Sequence, residues 1–214
     1  MKLYTYFRSS AAYRVRIALA LKDLKPEMMP VHLLRDGGEQ STPEYLALNR
    51  QGLIPALDDN GILVTQSMAI CEYLDEIQPT PALLPKDPAA RARVRALALA
   101  IACEIHPLNN LRVLNYLTGT LGLSEAQKLA WYHHWIRLGF TALEAQLAAQ
   151  SASGDYCHGE GPTLADVFLV PQVANARRFD LDLSAFPTLL RIDAKCRELP
   201  AFIAAAPQNQ ADAV

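Results

Sequence analysis

Two successive kinds of segment predict an α/β N-terminal domain followed by an all-helical C-terminal domain. The first 77 residues alternate strand-like and helix-like patterns and contain one hairpin signal. Prolines then cluster between Pro79 and Pro88, which excludes a continuous helix there and indicates a linker. Beyond the linker only helical periodicity remains. We therefore expect a small mixed sheet covered by helices, and then a helical bundle.

The first βαβ unit is read from the opening of the chain. Lys2–Tyr6 has the pattern of a short strand, and a helix is predicted to begin near Ser9-Ser10. A second strand is predicted at Glu27–Leu34, where Pro30 indicates a sheet edge because proline cannot donate a ladder hydrogen bond. A helical crossover of this kind joins parallel strands, so these two strands are expected to pair in parallel.

The rest of the sheet domain combines a short helix, a hairpin and a longer helix. Thr42 can cap a helix that runs to Leu48, with a proline at its first position. Asn60-Gly61 separates two apolar runs, which is a strong signal for an antiparallel hairpin. The segment Met68–Ile77 repeats apolar residues at helical spacing. The domain is therefore predicted to hold both parallel and antiparallel strand pairs.

The helical half is predicted from longer amphipathic patterns. These cover residues 89–117, 124–150 and 163–176, and two further segments begin after Pro187 and Pro200. The tail after Ala206 has little apolar surface to bury and is expected to fray. We accordingly predict a first domain at residues 1–80, a linker at 81–87 and a helical domain at 88–214.

Composition excludes several functional classes. Hydrophobic residues make up 51% of the chain, enough for a sizeable core, and the net charge of −2 is dispersed, which argues against nucleic acid as a partner. The most apolar stretch is too short to span a membrane, and the first residues lack a secretory pattern. Four widely spaced cysteines indicate neither a zinc site nor a disulfide framework. We expect a cytoplasmic protein with reduced thiols.

The turn before the first helix is a candidate anion site. Ser9 and Ser10 lie where free N–H groups and the helix dipole can stabilise a thiolate or a carboxylate. A serine in this position is more often only a helix cap. Both interpretations remain open from the residues alone.

Two further segments have a structural and a functional interpretation. Most X-Pro bonds are trans, so Ile54-Pro55 is expected to start an ordinary strand; a cis bond would expose the Ile54 backbone for pairing with an extended peptide. Gln66-Ser67 opens a helix, where serine is normally a cap but could bind a carboxylate. Together these features would suit a small peptide that carries a thiol.

The helical half contains one clear structural motif and several ambiguous residues. Thr163-Leu164-Ala165-Asp166 has the spacing of a capping box. The polar segment His106–Arg112 follows a proline-associated kink and either lies on the surface or faces a cleft. Arg177-Arg178 either ends a helix or binds a carboxylate. His133-His134 lacks ligand spacing and is read as structural, so no metal site is indicated.

Taken together, these residues resemble the zeta-class glutathione transferases and, within them, the maleylacetoacetate isomerases. The resemblance spans nearly the whole chain. It is carried by Tyr6-Phe7-Arg8-Ser9-Ser10, Arg14–Leu19, Asp36-Gly37-Gly38, Ile54-Pro55, Gln66–Ile70, Pro79-Thr80-Pro81 and Val170–Ala176. It implies a thioredoxin-like N-terminal domain, a helical C-terminal domain and a homodimer.

The resemblance also implies an activity and a set of site residues. The activity is the glutathione-dependent cis–trans isomerisation of a maleyl diketo acid, maleylacetoacetate, to fumarylacetoacetate in tyrosine and phenylalanine catabolism through homogentisate. By position, Ser9 would hydrogen-bond the glutathione sulfur with Ser10 beside it, and Arg8 and Arg178 would face the acidic substrate. The remaining glutathione contacts implied are Ala11, Gln40, Ile54, Pro55, Gln66 and Ser67, joined from the helical domain by His106, Asn110, Leu111 and Arg112.

Two departures from the family pattern bear on this assignment. Ala11 stands where the family usually has cysteine, so the reactive sulfur would have to come from glutathione. His106 stands where many relatives have glutamine. The alternatives are a maleylpyruvate isomerase of the gentisate pathway, a general glutathione transferase or α-halo acid dehalogenase, and a glutathione-binding protein without catalysis.

Overall fold

The computed structural model describes residues 1–213, which divide into two compact units. The first unit comprises Met1–Leu83 together with the described part of Glu198–Val214, and the second comprises Leu84–Arg197. The predicted linker at 81–87 spans this division. The prediction differs at the C-terminus, because residues after Arg197 pack with the sheet unit rather than with the helical bundle.

A four-stranded mixed sheet forms the centre of the first unit. Its strands are β1 (Lys2–Thr5), β2 (Glu27–Pro30), β3 (Ala56–Asp59) and β4 (Ile62–Thr65), in the order β2-β1-β3-β4. β1 pairs in parallel with β2 and antiparallel with β3, and β3 pairs antiparallel with β4. The predicted crossover, the hairpin and the edge position of β2 are confirmed.

The second strand is shorter than predicted. β2 ends at Pro30 rather than Leu34. The Nδ1 atom of His32 accepts hydrogen bonds from the N–H groups of Leu34 (3.2 Å) and Arg35 (2.8 Å). Those N–H groups therefore close a local turn instead of extending the ladder.

Four helices complete the first unit: α1 (Ser10–Leu21), α2 (Pro43–Leu48), α3 (Ser67–Ile77) and α9 (Pro200–Ala205), numbered in chain order. Thr42 caps α2 as predicted, accepting a hydrogen bond from the Tyr45 N–H. α1 packs against both α3 and α9. Its buried Ile17 shares the fully buried core with Leu3, Leu57 and Ile70.

The prediction that the tail after Ala206 frays is wrong for residues 207–213, and Val214 lies outside the described residues. A 3-10 turn forms at Pro207–Asn209. The amide groups of Asn209 and Gln210 donate to backbone carbonyls at the end of α9, at 2.7 Å to Ile203 and 2.9 Å to Ala204. Polar side chains thus fix this segment, which an argument from apolar burial alone could not anticipate.

Among the described residues of the second unit, the regular secondary structure is helical, and loops join the helices. The unit contains α4 (Pro88–Glu104), α5 (Leu111–Asn115), α6 (Glu125–Ala148), α7 (Leu164–Arg178) and α8 (Pro187–Cys196). The amphipathic pattern over 89–117 is divided in the structure, since α4 ends at Glu104 and a 3-10 turn occupies Pro107–Asn109, beside the proline at which a kink is predicted. A π-helical turn, Tyr116–Thr120, follows α5. The α/β plus all-helical fold class is confirmed.

The capping box at the start of α7 is also confirmed. Asp166 Oδ2 accepts from the Thr163 N–H at 2.7 Å and from its hydroxyl at 2.8 Å, while Oδ1 accepts from the Cys157 N–H at 2.8 Å. Burial raises the pKa of the Asp166 carboxyl, and these hydrogen bonds oppose that rise. Within residues 1–213, no helix has the length and apolar character that crossing a membrane requires.

Candidate active site

The register of the sheet brings four of the predicted segments to one end of the first unit. Thr5, at the end of β1, lies beside Pro30, and Ala56, at the start of β3, lies opposite both Tyr4 and Thr65. The loops that follow β1, β2 and β4 and the loop that precedes β3 therefore lie at the same end of the sheet. That end carries the Ser9 turn, the loop containing Gln40, the Ile54-Pro55 bend and the start of α3.

Ser9 is the N-cap of α1. Its Oγ accepts a hydrogen bond from the Ala12 N–H at 3.2 Å, and its own N–H donates to the Tyr6 carbonyl at 3.0 Å. Because the hydroxyl accepts in this contact, its proton is available for donation to an acceptor beyond the helix end. Ser10 is the first helical residue and is buried. Ser9 is thus both a cap and a possible donor to a thiolate, which the helix N-terminus also favours.

No accessible thiol is found in the described part of the sheet unit. Ala11 is buried in α1, and the unit's cysteine, Cys71, is fully buried in α3. Burial raises the pKa of the Cys71 thiol to about 12, although the nearby Arg14 opposes the shift. A nucleophilic sulfur at Ser9 would therefore have to arrive with a ligand.

The Ile54-Pro55 peptide bond is cis, the less common of the two forms that the sequence leaves open. The chain before it is held by Leu53, whose carbonyl accepts from the Tyr45 hydroxyl at 2.7 Å and from the Asn49 amide at 2.8 Å. Ile54 itself is a buried member of an apolar cluster that includes Tyr45. The bend is thereby fixed directly before β3.

The start of α3 has an unusual backbone at Gln66. This residue has φ of 71° and ψ of 120°, a region that non-glycine residues rarely occupy and that is frequent at functional sites. Its amide donates to the Gln51 side chain at 2.9 Å. Gln66 is the N-cap without a side-chain cap bond, and Ser67 is the first helical residue rather than the cap.

Ser67 is positioned by Arg14, an arginine that was not predicted to belong to the site. Arg14 Nη1 donates to Ser67 Oγ at 3.2 Å, and both residues are buried. The contact joins the second turn of α1 to the first turn of α3. The available signal was a pair of arginines, Arg14 and Arg16, within a mostly apolar helix, because a buried charge requires hydrogen-bonded partners.

The environment of the Gln40 side chain indicates whether a peptide ligand fits this end of the sheet. Its Oε1 is buried and has no hydrogen-bond partner among residues 1–213. The adjoining loops are close: a Cβ on Gly52, whose φ is 60°, would lie 3.2 Å from the Gln40 carbonyl oxygen. A buried amide oxygen without a donor is normally satisfied by water or ligand. The amide and ammonium groups of a small peptide fit that need.

The predicted site residues of the second unit lie around a break between helices. His106 precedes the 3-10 turn, and Asn110 caps α5 by accepting from the Arg112 N–H at 3.2 Å. The turn is fixed to α6, because the Trp131 indole donates to the Leu108 carbonyl at 2.9 Å. Leu111, also predicted here, is the first residue of α5.

The paired arginines at the end of α7 differ in environment. Arg177 forms an ion pair with the buried Asp193 at 2.6 Å, whereas Arg178 is exposed and its guanidinium lies 4.9 Å from the centre of the Phe179 ring. Phe179 in turn packs on Tyr132, with ring centres 4.0 Å apart. Arg8, in the first unit, is likewise exposed, with its guanidinium 4.9 Å from the Phe7 ring centre. Arg8 and Arg178 have no ion-pair partner among the described residues.

His133 and His134, which are predicted to be structural, make contacts within the second unit. His133 Nε2 lies 2.6 Å from the Phe179 carbonyl oxygen, and the His134 ring packs edge-on against Trp135. Neither side chain belongs to a group of three or more possible metal ligands in the described part of the chain.

Comparisons with known proteins agree with this fold and sequence pattern. Residues 1–76 match the family model "Glutathione S-transferase, N-terminal domain". A probable maleylacetoacetate isomerase of Vibrio cholerae is 56% identical over 211 residues, covering 99% of this chain and 97% of that protein.

Solved structures extend the agreement to the whole chain. The holo structure of a bacterial maleylpyruvate isomerase, described as a zeta-class glutathione transferase, is 50% identical with a TM-score of 0.97 and covers 100% of both chains. A maleylacetoacetate isomerase of Methylobacterium extorquens, solved with bound malonate and glutathione, is 39% identical with a TM-score of 0.96, again over 100% of both chains. The chain therefore belongs to the zeta class of glutathione transferases, the family of the maleylacetoacetate and maleylpyruvate isomerases.

Proposed function

We propose that this protein is a glutathione-dependent cis–trans isomerase that converts maleylacetoacetate to fumarylacetoacetate in tyrosine and phenylalanine breakdown. The observation that carries the proposal is the hydrogen bonding of the Ser9 hydroxyl. Its oxygen accepts the Ala12 N–H, its proton is available at the N-terminus of α1, and no accessible cysteine competes in the described part of the same unit. This arrangement suits a sulfur that a bound peptide brings.

Glutathione, when bound, supplies a thiolate that adds reversibly to the conjugated cis double bond, so that rotation and expulsion yield the trans product. The contribution of Ser9 is to donate a hydrogen bond to that sulfur, and the contribution of α1 is the partial positive charge of its N-terminus. A thiol has an ordinary pKa of about 8.5, and each unit of lowering needs about 1.4 kcal/mol. A hydrogen bond to a charged group contributes about 1.5–3 kcal/mol, which is sufficient.

The peptide part of glutathione would be held by the segments that meet at this end of the sheet. The backbone of Ile54, at the bend directly before β3, would pair with an extended peptide as an added strand does. Gln66 and Ser67 would bind a carboxylate at the start of α3, and Gln40 would accept from a ligand N–H. We assign further glutathione contacts to Ser10, Ala11, His106, Asn110, Leu111 and Arg112.

Recognition of an acidic substrate is assigned to Arg8 and Arg178. Both guanidinium groups are exposed, stack beside a phenylalanine and lack a carboxylate partner among the described residues. An arginine binds a carboxylate with two parallel hydrogen bonds and can also stabilise negative charge that develops on a neighbouring oxygen. Arg177 is not assigned this role, because Asp193 already pairs with it.

The maleylpyruvate isomerase reaction is the second candidate. It is favoured by the close similarity to the zeta-class maleylpyruvate isomerase described above, and the two substrates differ only at one end of the diketo acid. The deciding experiment follows glutathione-dependent loss of absorbance with each maleyl compound and with an α-halo acid. We expect the highest kcat/KM with maleylacetoacetate. Turnover of neither maleyl compound would refute the isomerase proposal, and a preference for maleylpyruvate would replace the substrate assigned.

We also propose a homodimer in the cytoplasm. β4 is an edge strand, and it exposes the large apolar side chains of Ile62 and Leu63, a surface that a second copy would cover. The four free cysteines suit a reducing compartment. Light scattering on the wild type and on Ile62→Lys tests the dimer, which the charged variant is expected to weaken. A wild-type monomer would exclude it.

A further inference from the structure

The C-terminal tail is bonded to the turn that carries Ser9. Asp212 Oδ2 accepts a hydrogen bond from the Phe7 N–H at 2.9 Å, across 205 residues of sequence. The tail reaches this position because the Asn209 and Gln210 side chains fix its start to the carbonyls of α9. Ala213 packs against the apolar cluster that contains Phe7 and Ile54. The tail therefore contacts two of the segments that meet at the candidate site.

Arg16 holds the same turn from its other side. Its guanidinium donates to the carbonyls of Tyr6 (3.2 Å) and Phe7 (3.0 Å), and its Nε donates to the Ala205 carbonyl at 3.0 Å. Arg16 is buried. Burial lowers the pKa of its guanidinium, and the nearby Asp212 carboxylate opposes that shift. The peptide groups of Tyr6 and Phe7 are thus fixed by an arginine at the carbonyls and by an aspartate at an N–H.

The position of Ser9 depends on that turn. The Ser9 N–H donates to the Tyr6 carbonyl, which is one of the oxygens that Arg16 holds. We propose that Asp212 is a positioning residue, which fixes the Tyr6–Ser9 turn through the Phe7 N–H and so directs the Ser9 hydroxyl toward the thiol of glutathione. The proposal rests on the function proposed above for Ser9.

The experiment compares Asp212→Ala with Asp212→Asn. Both substitutions remove the charge, but the asparagine side chain keeps an oxygen that can accept from the Phe7 N–H. The matched control is Asp58→Ala, which removes a hydrogen bond of 2.8 Å from the Gly61 N–H at the hairpin turn, the opposite end of β3 from Ala56. The readouts are hydrogen exchange of the Phe7 amide in protein without glutathione, and kcat and KM for glutathione.

Asp212→Ala is expected to speed Phe7 amide exchange about tenfold and to lower kcat about three- to tenfold, since a hydrogen bond of this kind is lost. KM for glutathione should stay within about twofold, because its other contacts remain. Asp212→Asn should recover most of both losses, and Asp58→Ala should show neither.

The outcomes separate this proposal from the one on which it rests. If Asp212→Ala keeps the wild-type rate of Phe7 amide exchange and the wild-type kcat while Ser9→Ala lowers kcat, the role of Asp212 is overturned and that of Ser9 stays intact. Equal losses in Asp212→Ala and Asp212→Asn would also overturn it, because the charge rather than the hydrogen bond would then be responsible. An unchanged kcat in Ser9→Ala would instead refute the proposed function.

Discussion

Replacement of Ser9 by alanine should separate catalysis from stability. The substitution removes the hydrogen bond from the Ala12 N–H and the hydroxyl proton proposed to reach the sulfur. Loss of a hydrogen bond to a charged group costs about 1.5–3 kcal/mol, which corresponds to a rise of about 1–2 units in the pKa of the bound thiol. At neutral pH the thiolate fraction, and with it kcat, should fall about 10- to 100-fold.

Glutathione affinity should change much less than turnover in this variant. The peptide contacts assigned to Ile54 and Ser67 do not involve Ser9, so we expect the Kd to rise only about two- to fivefold. The measurements are kcat from the loss of maleylacetoacetate absorbance, Kd from calorimetric titration, and the thiol pKa from thiolate absorbance against pH. The acid limb of the rate profile should move upward with that pKa.

Loss of the cap itself must be controlled for. An N-cap serine contributes about 1 kcal/mol to stability, so Ser9→Ala should also lower Tm by about 2–4 °C. Ser124→Ala removes an equivalent cap from α6, where Oγ accepts from the Gln127 N–H at 3.3 Å. That control should lose the same stability and keep full kcat. A wild-type thiol pKa and kcat in Ser9→Ala would refute the assigned role.

Three further substitutions test other parts of the structure. Ser67→Ala should raise KM for glutathione about tenfold with little change in kcat, because the contact proposed for Ser67 is with a carboxylate of the peptide and not with the reacting sulfur. Initial rates at varied glutathione check this. Arg178→Gln should raise KM for the acidic substrate by about tenfold or more. The control Arg137→Gln, on the exposed surface of α6, should leave this KM unchanged. An equal effect of both substitutions would contradict substrate binding by Arg178. Gly139→Ala should destabilise the protein by about 1–3 kcal/mol by thermal unfolding, since its Cβ would lie 2.3 Å from the Ile105 side chain, whereas Gly119→Ala, with open space around it, should not.

The parts of the fold that could be predicted from the sequence are those whose stabilising contacts join residues only a few positions apart. The Thr42 cap bonds to Tyr45, and the Asp166 carboxylate bonds to Thr163, in each case three residues away. The Asn60-Gly61 turn likewise requires only its own backbone angles, since both residues have positive φ. A linear reading recovers such contacts because both partners appear together in the sequence.

The parts that were missed depend on partners distant in sequence. Arg14 bonds Ser67 across 53 residues, and Phe7 bonds Asp212 across 205. Nothing local marks Asp212, which lies among small and polar residues that predict fraying. The break after α4 was suggested by Pro107, but its extent depends on hydrogen bonds to α6 from the other side of the turn.

The two buried arginines of α1 explain why one helix can organise the whole sheet-domain site. Burying a guanidinium is unfavourable unless hydrogen bonds compensate, and Arg16 donates four of them, to Thr5, Tyr6, Phe7 and Ala205. Burial lowers the pKa of Arg16 to about 10, which still leaves it charged at neutral pH. Arg16 therefore fixes the Tyr6 and Phe7 carbonyls in the turn that leads to Ser9, and Ser9 itself donates to the Tyr6 carbonyl. Arg14 fixes Ser67 from the same helix, so a shift of α1 would disturb the proposed sulfur and carboxylate contacts together.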